Sequence, residues 1–273
     1  MSASAAPAPS SSAIGLIGFG AIGKAIWHSF GGDSGIIGPV LLRPESKRSV
    51  PAPLSRVADV AALIAARPQL VVECAGHSGL IDHGARVLEA GIPLVVVSVG
   101  ALADDELHAR LDAAAAAGRT RYVTVAGAIG ALDALAAAKP AGLSRVQYFG
   151  HKPPLAWKGT PAEDAFDLAA ITEPTVIFEG SAREAALTYP KNANVTAAVA
   201  LAGNGFDATR VSLLADPEAG GNMHRIEAEG SFGRLAFEIV NKPLPDNPKT
   251  SWLAALSASH AARQLLQQVR STP

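Results

Sequence analysis

Three glycines in the stretch AIGLIGFGAIGKAIW, residues 13–27, fall at Gly18, Gly20 and Gly23, the spacing of a strand-to-helix turn that cradles a pyrophosphate. The first glycine lets the turn close, the second lets the backbone approach a phosphate, and the third lets helix and strand pack closely. The amides of Ala21 and Ile22 then open a helix whose N-terminus favours an anion. Six such residues also suit a plain bend between core elements. Their place at the first of five strand–helix junctions is what points to a dinucleotide. A carboxylate that holds the ribose hydroxyls of NAD is expected about 20 residues further on. That region reads LLRPESKR, with Arg43 in the acid's place and Lys47 and Arg48 beside it. A guanidinium there accommodates a 2′-phosphate, so both NAD and NADP are expected cofactors.

A dinucleotide enzyme also needs a group that handles protons near neutral pH, and histidine is the first choice. His28, His83, His108 and His260 fall within predicted helices and are assigned to surface or packing. His77 stands at a strand end beside the expected crevice, His151 ends a strand of the second half, and His224 opens a hairpin; spacing does not choose among them. Cys74 lies at an apolar strand end with no activating neighbour except His77, so a buried packing residue is expected there, with Ala75 beside it at the cofactor. No Cys/His pair has zinc-site spacing and no GxSxG occurs, so neither a metal nor a hydrolase nucleophile is expected. The segments HKP at 151–153, YPKNANV at 189–195 and NPKTS at 247–251 each set a lysine beside a turn or helix start. Together they predict a pocket for a carboxylate.

The elements that must hold these groups follow from periodicity. Short apolar runs (AIGLIGF, GIIGPVLL, QLVVECA, PLVVVSV and RYVTVAG) alternate with GKAIWHSF, VADVAALIAA, LIDHGARVLEA and DDELHARLDAAAAA. This is the pattern of a doubly wound parallel sheet with helices on both faces. Beyond residue 140, RVQYFGHK, PTVIFEGS, RVSLLAD, MHRIEAEG and RLAFEIVNK predict a mixed α+β domain, with EGSFGR as a hairpin turn. SWLAALSASHAARQLLQQV predicts a final helix, capped by Ser251, that packs back on the first domain. The expected division is 13–130 with 250–273 for the dinucleotide, and 131–249 for substrate and dimerisation.

With 17% charged residues, 49% hydrophobic residues and a net charge of −1, the chain reads as a soluble globular protein with no charge excess for nucleic acid or anionic membrane. Its single cysteine suits a cytoplasmic location. The opening MSASAAPAPSSS lacks the basic residues of a signal peptide, and residues 1–12 are expected to form a flexible tail.

The segments GFGAIG, VVECAGH, VVVSVGAL, GAIGALDAL, KPPLAWKGTPAE, IFEGSAREAALTYPKNANV, ADPEAGGNMHRIEAEG and NPKTS resemble the L-aspartate dehydrogenase family along nearly the whole chain after the tail. The resemblance implies oxidation of L-aspartate to iminoaspartate with NAD or NADP, reversible from oxaloacetate and ammonia, with NAD biosynthesis as an outlet for the product. It implies a Rossmann domain joined to a domain like the catalytic half of glyceraldehyde-3-phosphate dehydrogenase, usually in a homodimer. It also places the catalytic histidine at His224 and nicotinamide contacts at Ala128 and Asn194. Lys249, Thr250 and Ser251 are the candidates for the substrate carboxylates. The alternatives are a related reductase of a cyclic imine and a nucleotide-sensing protein without hydride transfer.

Overall fold

The computed structural model describes residues 13–245 and 247–271, with the side chains of Lys191, Pro248 and Lys249 outside the description. The expected tail, residues 1–12, lies outside the described residues. In the first half β1 (Ile14–Ile17), β2 (Ile37–Leu41), β3 (Ser55–Val57), β4 (Leu70–Glu73), β5 (Leu94–Val96) and β6 (Tyr122–Thr124) form one sheet in the order β3-β2-β1-β4-β5-β6. Every pairing is parallel. β1, β2, β4 and β5 are buried along their whole lengths, and that is why they appear in the sequence as unbroken apolar runs. β3, which the apolar pattern does not reveal, is exposed at the sheet edge; with no buried face it carries no hydrophobic signal.

The helices α1 (Ala21–Ser29), α2 (Val60–Ala65), α3 (His77–Glu89) and α4 (Asp105–Ala117) connect these strands. Asp59 accepts from the Ala62 amide at 2.8 Å to cap α2, and Asp104 accepts from the Glu106 and Leu107 amides at 3.0 and 3.2 Å to cap α4. α1 starts after Gly20 with no side-chain cap and no acid in its first turn, as α3 does after Gly76. The α1 amides are left for a ligand.

After α5 (Leu132–Ala138), the second half contains β7 (Leu143–Lys152), α6 (Ala162–Ala165), β8 (Thr175–Ser181), α7 (Ala182–Thr188), α8 (Ala193–Ala202), β9 (Arg210–Ala215), β10 (Asn222–Gly230) and β11 (Gly233–Asn241). Its sheet runs β11-β10-β7-β9-β8. β7 and β9 are parallel and the other pairs antiparallel, with β10 and β11 joined by the expected hairpin. α8 is buried on nearly every side and packs against the turn Val99–Ala103 of the first half. Trp157 is fully buried, donating from Nε1 to the Leu214 carbonyl at 3.1 Å.

A short ladder, β12 (Pro243–Leu244) with β13 (Asn247–Ser251), leads into α9 (Trp252–Ser271), which packs on α1, β4 and β5. Ser251, expected from its type to cap α9, instead ends β13. The first α9 amide, that of Trp252, donates to the Lys242 carbonyl at 2.9 Å. The buried Ser251 hydroxyl has no hydrogen-bond partner among the described residues.

Leu80 of α3 is completely buried against the first sheet. Leu80→Ala is expected to lower stability by about 2–5 kcal/mol, measured as a shift in the urea unfolding midpoint.

Candidate active site

The glycine turn has the geometry its sequence predicts. Gly18 has a φ of +94°, and a β-carbon there would sit 2.9 Å from the Ala75 α-carbon and the Cys74 carbonyl oxygen. A β-carbon on Gly23 would sit 2.9 Å from the Gly18 carbonyl oxygen. Gly20 differs, because a β-carbon there would meet only Arg48 Nη1, at 3.9 Å. Protein packing therefore explains Gly18 and Gly23, whereas Gly20 leaves open space on the crevice, room in which a phosphate would fit. With the uncapped start of α1, this cradle fits the pyrophosphate of a dinucleotide.

The crevice beyond the turn is lined by Gly18, Gly20, Arg43, Arg48, Cys74 and Ala75, among others. Cys74 directs its thiol at the carbonyls of Gly18 (3.3 Å) and Ile17 (3.4 Å), and burial pushes the thiol well above its ordinary pKa. It is a packing residue under the turn. Beside it, the wholly buried Glu73 accepts from the amides of Ala75, Gly76 and Ser98 and from the Ser98 hydroxyl at 2.8–3.1 Å. Burial raises its carboxyl pKa while these four donors oppose the shift. One side chain thus ties together the ends of β4 and β5, where the crevice floor lies.

Arg43 is exposed and pairs with Glu45 at 3.4 Å, while Arg48 donates to the Phe19 carbonyl at 3.4 Å. The loop between them is tied from β3, whose Arg56 donates to the carbonyls of Arg43, Pro44 and Ser46 at 3.0–3.1 Å. Arg56 lies on the strand that periodicity does not reveal. His83, assigned from sequence to surface or packing on a helix, lines this crevice, and its Nδ1 is buried without a partner among the described residues. Its helical position gave no sign of which face it would occupy.

A second cavity of about 190 Å³ opens beside the first and is lined by Ile22, Ala128, Tyr148, Lys152, Asn194 and His224, with Trp157, Asn192, Thr250 and Ser251 around them. Gly20 borders the first crevice and Ile22 the second. One turn of α1 therefore joins the phosphate cradle to the buried imidazole.

His224, on β10, is 5% exposed, and its Nδ1 lies 2.7 Å from the Tyr148 hydroxyl. No described residue hydrogen-bonds its Nε2. Burial first, and then the electrostatic influence of Lys152 and His151, push the imidazole pKa down to about 3, so the ring is neutral at physiological pH. Tyr148 is held well above the ordinary phenol range by burial and keeps its proton. Lys152 contacts Asn192 Oδ1, and its ammonium lies 5.1 Å from the centroid of the Trp157 ring. Burial lowers its pKa to about 8.

The loop carrying Ala128 is held from both sides. Asn241 Nδ2 donates to the Ala128 carbonyl at 2.8 Å, and the Gly127 amide donates to Ser257 Oγ at 3.1 Å. Asn194 accepts from the Gly100 amide at 2.9 Å.

The three histidines left open by spacing separate cleanly. Strand alternation sends Gly150 and Lys152 of β7 into the cavity and His151 to the opposite face of the sheet, where it meets Asp216 at 2.9 Å. His77 opens α3 and hydrogen-bonds Asn194, with its pKa lowered by burial; it lines neither crevice. Of the predicted substrate residues, Thr250 and Ser251 reach the cavity, and Lys249 lies in β13 with its side chain outside the described residues. Lys152, the lysine of the HKP segment from which a carboxylate pocket was expected, reaches the cavity as well, whereas nothing in the sequence spacing singled out Tyr148. Among the described residues no cluster suited to a metal ion occurs, and no helix is long and apolar enough to cross a membrane.

Comparison with known proteins agrees with this division of labour. Residues 18–124 match the family model for the NAD-binding domain of homoserine dehydrogenase, and residues 133–265 match that for the C-terminal part of aspartate dehydrogenase. The chain is 50% identical to the L-aspartate dehydrogenase of Cupriavidus taiwanensis, over 91% of this chain and 95% of that one. It is 57% identical to that of Ruegeria pomeroyi over 72% of each. Its fold resembles the crystal structure of aspartate dehydrogenase from Thermotoga maritima, with a TM-score of 0.72 and 22% identity over 96% of this chain and 98% of that one. The cradle, the buried imidazole and these relatives lead to one assignment: the chain belongs to the L-aspartate dehydrogenase family.

Proposed function

We infer that the protein oxidises L-aspartate to iminoaspartate with NAD or NADP, reversibly from oxaloacetate and ammonia. Relatives named L-aspartate dehydrogenase supply the substrate. The observation that carries the chemistry is the shared first turn of α1, which makes a phosphate cradle continuous with the cavity of His224.

When bound, the nicotinamide accepts the α-hydrogen of aspartate as hydride. The cradle residues Gly18, Gly20, Ala21, Ile22 and Gly23 would hold the pyrophosphate, with Cys74 and Ala75 at the crevice floor and Ala128 and Asn194 lining the cavity that would take the nicotinamide. Arg43, where an acid would select NAD, supports use of NADP as well. His224 takes a proton from the α-ammonium or from the water that attacks the imine. For this, Nδ1–H donates to the Tyr148 oxygen and leaves the Nε2 lone pair free, the tautomer that suits a base. Thr250 and Ser251, with Lys249 on the same strand, receive the substrate carboxylates.

The reading extends to a homodimer, cytoplasmic residence and supply of iminoaspartate to NAD biosynthesis. Residues 13–130 and 250–273 serve the nucleotide, and 131–249 serve substrate and dimerisation. The outer face of the second sheet supports a dimer: it presents Val240, 58% exposed, beside paired Arg225 and Glu227. Light scattering of the purified chain at twice the protomer mass is the expected result.

His224→Ala should lower kcat for aspartate by about 10²–10⁴, measured by absorbance at 340 nm; unchanged turnover removes His224 from the mechanism. Gly20→Ala places a methyl group where no protein atom crowds it. NADH and NADPH affinity should fall about tenfold or more with the unfolding midpoint unchanged. Stability should also depend on pH through His224. With its pKa near 3 in the folded protein and about 6.5 unfolded, the unfolded chain binds a proton that the folded chain refuses between those values. His224 therefore costs stability as pH falls through that window, about 2 kcal/mol between pH 7 and 5. Urea unfolding of His224→Asn should show a correspondingly smaller loss.

A further inference from the structure

The substrate cavity has an unusual electrostatic balance. Its lining includes Lys152 and no aspartate or glutamate, and no described carboxylate lies within 4.0 Å of the Lys152 ammonium. Among the described residues, the side-chain oxygen on it is Asn192 Oδ1, a neutral acceptor. Since an ammonium only donates, Asn192 must present its oxygen to Lys152, which leaves the Nδ2 donors for something else. In the same lining, Ser251 is 6% exposed and its hydroxyl has no partner among the described residues. A half-buried cation without a described counter-ion and a buried hydroxyl without a described partner are each costly. One bound anion relieves both.

We propose that Lys152, with Asn192 and Ser251, is the seat of a carboxylate of the substrate and so a determinant of selectivity for anionic substrates. The proposal rests on aspartate as the substrate class and adds a binding role for a residue on β7, separate from proton transfer at His224. An ammonium and two neutral donors match a carboxylate's two oxygens in charge and hydrogen-bonding capacity. Filling the seat also acts on catalysis: the Lys152 charge is one cause of the low His224 basicity, and a carboxylate on Lys152 offsets it, raising the affinity of the imidazole for a proton when substrate is present.

The groups facing Lys152 allow a clean titration. They are His224 from β10, Tyr148 from β7, Asn192 and Trp157, with the His151–Asp216 pair on the far face of the sheet. His224 is already neutral and Tyr148 stays protonated through the alkaline range. The described group that changes charge near pH 8 is Lys152 itself.

Succinate is a suitable probe, because it has two carboxylates, no amine and constant charge above pH 7. Its binding to the NADH-loaded enzyme is followed by calorimetry from pH 7 to 10, beside aspartate kinetics. Expected for the wild type is succinate affinity that weakens above about pH 8. Lys152→Arg should retain binding and lose this alkaline limb, since guanidinium stays charged. Lys152→Met should raise the KM for aspartate about 10- to 150-fold, with a smaller change in kcat and NADH affinity within twofold, the last showing an intact fold. A Lys152→Met KM within threefold of wild type, or the same alkaline limb in Lys152→Arg, overturns the proposal. Wild-type enzyme that binds succinate as described but fails to oxidise aspartate would instead strike the substrate assignment and leave the carboxylate seat standing.

Discussion

The site exists only because two sheets, whose buried residues form one continuous core, are held in register across a seam, and a few hydrogen bonds help set that register. Asn241 at the end of β11 holds the Ala128 carbonyl, Asn194 at the start of α8 takes the Gly100 amide, and Ser257 of α9 takes the Gly127 amide. Each joins an element of the second half, or the returning C-terminal helix, to a strand-end loop of the first. Leaving any of these amides or carbonyls unpaired in the seam costs the full desolvation of the group. The loops that would face a nicotinamide are therefore fixed before any cofactor arrives, as a site relying on positioning requires.

Within that frame the two crevices do opposite electrostatic work. The outer one offers guanidinium groups and free helix amides to phosphates, near solvent, where charge is easily accommodated. The inner one removes water from an imidazole, a phenol and an ammonium at once. Burial favours the neutral form of each base and acid, and the same low-dielectric surroundings strengthen the interaction of any charge the substrate brings. The His224–Tyr148 hydrogen bond orients the ring, and the scarcity of fixed negative charge leaves the cavity receptive to a dicarboxylate.

Much of this was legible in the sequence. The four fully buried strands and the glycine turn were visible because burial on both faces and a φ of +94° at Gly18 leave few residue choices. Beyond spacing, the family resemblance pointed to His224, Ala128 and Asn194, and all three line the inner cavity. What periodicity did not show had local reasons. β3 is an exposed edge strand, so its Arg56 went unnoticed although it ties the loop around Arg43. Ser251 has the composition of a cap, but it ends β13 and its hydroxyl hydrogen-bonds no described residue. Tyr148 and Lys152 sit in a strand whose alternation is plain, yet which face would turn toward the cavity depended on pairing with β10 and β9, a long-range fact.

A crystal structure of the enzyme with NADH and oxaloacetate tests the central claim most directly. The account predicts the pyrophosphate on the amides of Gly20 to Ile22, the nicotinamide beside Ala128 and Asn194, and the oxaloacetate carbonyl carbon between the ring and His224. A ring turned away from His224, or a pyrophosphate bound elsewhere than the first glycine turn, would contradict it.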